Sequence, residues 1–82
     1  MTHHNLKQDK RFFESIHDED LKAINRYNDR NYQVGDTITL HEGEMENGEF
    51  VYTNRKLNAI ITYMNNYGMQ DGYECISIEL IE

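Results

Sequence analysis

The segment Arg26-Tyr27-Asn28-Asp29-Arg30-Asn31-Tyr32 sets two guanidinium groups four positions apart, with an amide and a carboxylate between them and tyrosines interleaved. A guanidinium is a planar donor fork that fits a phosphate or a base edge. Asn28 can both donate and accept. Tyr27, Tyr32 or Tyr52 could stack on an unpaired base. Lys22 and Arg55 would add positive charge if the fold brought them alongside, so the candidate nucleic-acid-binding set is Lys22, Arg26, Asn28, Asp29, Arg30, Tyr52 and Arg55. The same residue types also make an ordinary turn, in which Asn28 and Asp29 accept backbone hydrogen bonds and Arg30 pairs with a neighbouring carboxylate. Residue type leaves both readings open.

Other chemistries have less to work with. There is no glycine-rich phosphate loop, no HExxH, no paired cysteines, and no serine or cysteine inside a nucleophile motif. His3, His4, His17 and His41 do not form a helical i, i+4 pair, and His3 and His4 would point to opposite sides of a strand. No metal, cofactor or catalytic residue is therefore assigned. Cys75 is the single cysteine and lies in an alternating apolar run, where cysteine behaves as a small hydrophobe.

The elements that must carry these residues are those of one small domain, residues 1–82, with 38% hydrophobic content and nine aromatic residues, enough apolar mass to fold. No apolar run reaches membrane-helix length and the N-terminus lacks a secretion signal, so a cytoplasmic protein without a membrane partner is expected. The net charge of −7 disfavours long polyanions, but it is unevenly spread. All eight basic residues fall between positions 7 and 56, Glu42, Glu44, Glu46 and Glu49 crowd one segment, and residues 57–82 hold four acids and no base. Folding could gather a local basic cleft on an acidic body.

Phe12, Phe13 and Ile16 at helical spacing, with Asp9 as cap, predict a short helix from Asp9 to about His17. Leu21 to Tyr27 fits a helix face and a short strand equally. Val34, Ile38 and Leu40 alternate with Thr37 and Thr39, predicting a strand entered through Gly35-Asp36. Glu42 to Glu49, with Gly43 and Gly48, predicts an exposed hairpin loop. Phe50 to Met64 is a long β-rich run with Leu57, Ala59, Ile61 and Tyr63 on one face, able to bend around a small barrel. Asn65 to Gly68 breaks it, and Tyr73 to Ile81 predicts a strand near the centre of the sheet. The fold class expected is α+β, a small and mostly antiparallel β-barrel with one or two short helices near the N-terminus.

The order His4-x-Leu6-Lys7, Phe13, Arg26-x-Asn28-Asp29-Arg30-x-Tyr32-x-Val34-Gly35-Asp36, Leu40-x-Glu42, Tyr52-Thr53-x-Arg55, Ile61-Thr62-Tyr63 and Gly72-Tyr73 resembles a small bacterial and phage family of the ASCH (activating signal cointegrator homology) group, related to PUA domains. The resemblance covers nearly the whole chain, and NDRxYxVGD is its most specific part. It implies a PUA-like barrel flanked by one or two helices and a role in RNA binding, through a cleft lined from a pattern like GxKxxExR. Arg26 matches the final arginine of that pattern. Ile24 stands at its glutamate, Leu21 at its lysine with Lys22 one position later, and no glycine precedes them.

Two further functions are open, one implied by the resemblance and one by the acidic segment. Some ASCH proteins resemble amidohydrolases that remove acyl groups from cytidine with a lysine, a threonine and a carboxylate, which would cast Lys22 in that role beside Arg26. A protein-interaction or phage accessory domain would instead use the acidic Glu42 to Glu49 segment against a basic partner. The reading carried forward is a binding module for single-stranded RNA or a nucleotide rather than an enzyme.

Overall fold

A computed structural model describes residues 2–81. In chain order the elements are β1 (His3–Asp9), α1 (Lys10–His17), β2 (Ala23–Tyr27), β3 (Thr37–Glu46), β4 (Glu49–Asn65) and β5 (Tyr73–Ile81). The strands make one five-stranded sheet in the order β1-β3-β4-β5-β2. Only the β1–β3 pairing is parallel, so the sheet is mixed, and the expected antiparallel bias holds for the rest.

The sheet is open rather than closed into the expected barrel. β1 and β2 are its two edges, and neither pairs with the other. Across this seam the contacts run through side chains: Arg26 Nη2 donates to the Lys7 carbonyl at 3.0 Å, and Arg30 Nη1 donates to the Asn5 carbonyl at 3.1 Å. Guanidinium groups thus occupy acceptors that a pairing strand would need.

The core is Leu6, Phe13, Ile16, Ile24, Tyr32, Ile38, Leu40, Ala59, Ile61, Ile76 and Ile78. The single helix near the N-terminus starts as predicted, with Asp9 Oδ1 accepting from the Arg11 amide at 2.8 Å, and it buries Phe13 and Ile16 while Phe12 stays exposed. Each such side chain buried stabilises the fold by about 1.5–3 kcal/mol relative to exposure. Leu21 to Tyr27 resolves as a strand from Ala23 onward, paired antiparallel with β5.

The predicted 42–49 loop is mostly strand. β3 runs on to Glu46 and β4 begins at Glu49, leaving a two-residue turn at Asn47 and Gly48 with φ of 51° and 84°. Positive φ at both positions is what a two-residue turn matched to strand twist requires. Glu42 and Gly43 are buried, and Glu44 pairs with Lys10 at 2.9 Å. Val34, expected on the buried face of β3, is exposed and precedes the strand.

Two irregularities interrupt the pairing of β4. Between the pairs His41↔Lys56 and Gly43↔Tyr52, the β4 residues Thr53, Asn54 and Arg55 stand against the single residue Glu42, with Asn54 at φ 72°. Between Ile61↔Ile78 and Tyr63↔Ser77, Thr62 is extra. The first adds two residues and leaves the facing unchanged, whereas the second adds one, which switches the side chains that face inward. Tyr63 consequently points out and Met64 turns toward the core, against the alternation expected from the sequence.

Candidate functional site

The chain leaves β2 at Tyr27 and is folded back at once. Asn28 N donates to the Gly72 carbonyl at 2.7 Å, Asn28 Oδ1 accepts from the Tyr32 amide at 2.9 Å, and Asp29 N donates to the Tyr27 carbonyl at 2.9 Å. Asn28 is thereby committed to the loop backbone, the structural alternative for that residue. Tyr32 drops into the core and meets the His4 ring edge-on, centroids 4.7 Å apart. Asp36 completes the lock: Oδ2 lies 2.9 Å from His4 Nε2 and accepts from the Gln33 amide at 3.1 Å, while Oδ1 accepts from the Thr2 amide at 3.0 Å. The hydrogen bond from His4, joined by the Thr2 and Gln33 amides, holds the Asp36 carboxyl below the usual carboxylate range despite its burial. Asn28, Tyr32 and Asp36 of NDRxYxVGD therefore build the loop, while Asp29, Arg30 and Val34 remain exposed.

That loop and the edge of β1 frame a concavity of about 510 Å³ lined by Asn5, Lys7, Arg26, Tyr27, Asp29, Arg30, Tyr32, His41 and Tyr52, with Leu6 in its floor. Arg26 is half-buried and held by three neutral acceptors, the Asn25 carbonyl at 3.0 Å, the Lys7 carbonyl at 3.0 Å and Gln8 Oε1 at 2.7 Å. Burial lowers its pKa from the ordinary arginine value, yet a guanidinium stays charged at neutral pH. Burial likewise pushes the Tyr32 phenol up. Lys7 Nζ lies 5.5 Å from the centre of the Phe50 ring, and Tyr52 packs edge-on against Phe50 and His41 at 5.1 and 6.1 Å. Among the described residues, Lys7, Arg26 and Arg30 have no carboxylate within ion-pairing distance. Asp29 is the one acid of the lining.

Of the residues selected from sequence, Arg26, Asp29, Arg30 and Tyr52 meet in this groove and Asn28 stands behind it. Arg55 does not join them. Its guanidinium reaches Glu14 at 3.1 Å and Glu42 at 3.7 Å and lies 5.2 Å from the centre of the Phe13 ring, while its stem lines a smaller hollow beside His41 and Tyr52. Lys22 is also elsewhere, exposed in a second concavity with Glu19, Thr62, Ser77 and Glu79. In their place the fold supplies Lys7, with Asn5 and His41 beside it, hydrogen-bonded to each other at 3.1 Å. Lys7 was legible only as a charge, because nothing in His3–Asp9 signalled an edge strand running to the loop. Glu14, His17 and Asp18 are close enough to share a cation, but all three are exposed and Glu14 is engaged by Arg55. Cys75 is half-buried within β5. No helix among the described residues is long and apolar enough to cross a membrane.

No curated protein matches the sequence. A family model described as a domain of unknown function, DUF3850, matches residues 3–78, from the start of β1 into β5 and across every residue of the groove. The chain belongs to the DUF3850 family.

Proposed function

We propose that the groove between β1 and the 28–36 loop binds a short single-stranded RNA segment or a nucleotide. The observation that carries this reading is the convergence of Lys7, Arg26 and Arg30, none matched by a carboxylate among the described residues, in a concavity edged by Tyr27 and Tyr52 on a chain of net charge −7. The arginines supply forks for phosphate, and the tyrosines supply faces for an unpaired base. A ligand spanning more phosphates than these cations would meet the acidic remainder of the surface, which favours a small footprint. The resemblance to the ASCH group agrees with RNA as ligand and is part of the proposal, with the open seam replacing the closed barrel.

Titration of labelled single-stranded RNA at low salt tests the reading. Arg26→Ala and Arg30→Ala are expected to weaken binding about tenfold or more each, the loss of a charge-assisted hydrogen bond of about 1.5–3 kcal/mol. Tyr52→Ala is expected to cost about 1–3 kcal/mol through lost stacking. Lys22→Ala should bind as wild type does, because Lys22 lies outside the groove. No binding by the wild-type protein, or equal affinity in Arg30→Ala, removes the proposal.

The amidohydrolase alternative draws on one observation, that Lys22, Thr62 and Glu79 line a single concavity of about 430 Å³. A lysine nucleophile needs burial or a cationic neighbour, whereas Lys22 is exposed and Arg26 faces the other groove. Incubation of the purified protein with N4-acylated cytidine decides it, turnover abolished by Lys22→Ala being the supporting result. The interaction-domain alternative is weakened by the engagement of Glu42 and Glu44, which leaves Glu46 and Glu49 at the hairpin tip.

A further inference from the structure

We infer that Gln8 is the residue that keeps the groove an anion site, by positioning the Arg26 guanidinium without neutralising it. The inference rests on the anion-binding reading above and adds the residue that sets the charge. Gln8 sits on the inner face of β1, 6% exposed, and its Oε1 accepts from Arg26 Nη2 at 2.7 Å. The other two acceptors of Arg26 are backbone carbonyls, so the group is held by neutral dipoles alone and keeps its full charge beside the groove that it lines.

Arg30, exposed in the same groove, likewise meets only a backbone carbonyl, whereas the cations engaged elsewhere are treated differently. Lys10 meets Glu44, Arg11 meets Asp9, and Arg55 meets Glu14 and Glu42, each at a carboxylate. In a chain with 15 acidic residues, a half-buried arginine surrounded only by neutral acceptors is the exception. A glutamate at position 8 would fit the same space and hold the same guanidinium more strongly, but as an ion pair, whose charge is largely spent before a ligand arrives. The amide is the side chain that fixes the fork and leaves its charge free.

Gln8→Glu and Gln8→Met separate the two parts of this role. The first keeps an acceptor and cancels the charge. The second removes the acceptor and keeps the charge. Both are titrated with labelled single-stranded RNA across a salt series, and in parallel with inorganic tripolyphosphate, read as the rise in thermal midpoint. Gln8→Glu is expected to lose about tenfold in affinity and to flatten the salt slope by about 0.7, the contribution of one phosphate contact to a single strand. Gln8→Met is expected to lose affinity with its slope unchanged. A residue that merely filled space would alter the thermal midpoint and leave the slope alone in both.

Position 8 aligns with Glu42 of β3, so the folding of Gln8→Glu is checked by circular dichroism, and if it fails to fold the methionine variant decides alone. Wild-type affinity in folded Gln8→Glu or in Gln8→Met overturns the inference. Tripolyphosphate binding without RNA binding sinks the RNA reading and leaves the role of Gln8 standing on the tripolyphosphate arm. Failure of the wild-type protein to bind either probe sinks both.

Discussion

Asp36 shows how a residue that looks like part of a recognition motif can be spent on stability. Its carboxylate is buried and satisfied by His4, Thr2 and Gln33, and its pKa is lowered chiefly by the His4 hydrogen bond. A carboxyl that titrates lower in the folded chain than in the unfolded one, where it titrates near 3.9, contributes stability fully present above that pH and lost as pH falls through the folded value. Thermal melts of wild type should therefore fall steeply below about pH 4. Asp36→Asn should be less stable at pH 7 and flatter in the acid range, and an acid loss equal to that of wild type would contradict the assignment. The convergence was legible in part, since Arg26, Arg30 and Tyr52 do line one groove. The division of labour was not: Asn28 serves the backbone and Arg55 serves Glu14 and Glu42, because partners distant in the chain decide which donors remain free.

At the level of elements, the helix, the β3 alternation and the β5 strand could be read because apolar side chains mark their buried faces. β1 could not. Its inward positions are His4, Leu6 and Gln8, and two polar residues of three erase the hydrophobic period even though all are buried. β4 was recognised as a strand but not its two irregularities, one of them a change of face, which come from extra residues that pattern alone does not locate. Gly43 marks one of these places. A Cβ there would strike the Phe50 ring and the Val51 carbonyl, held across the β3–β4 pairing. Gly43→Ala is expected to destabilise by about 1–3 kcal/mol, as overpacking does, measured by denaturant unfolding. An unchanged midpoint would mean that the hairpin base is looser than its contacts require.

Across the whole molecule, charge and topology act together. The two ends of the sheet order meet at a seam bridged by arginine side chains instead of backbone pairing, and this seam gathers positive charge on a protein that carries −7 overall. Composition pointed to a small polyanion partner at most, but only the curvature that brings β1 beside the 28–36 loop makes a basic groove out of dispersed residues. In the proposed binding mode Lys7, Arg26 and Arg30 are the cations available to an anionic ligand, and the salt dependence of RNA affinity measures their number directly. The logarithm of the association constant against the logarithm of salt should fall with a slope of about −2 for three contacts to a single strand, and Arg30→Ala should reduce it by about 0.7. A slope twice as steep, or one that Arg30→Ala leaves unaltered, would place the binding cations outside the groove and contradict the account.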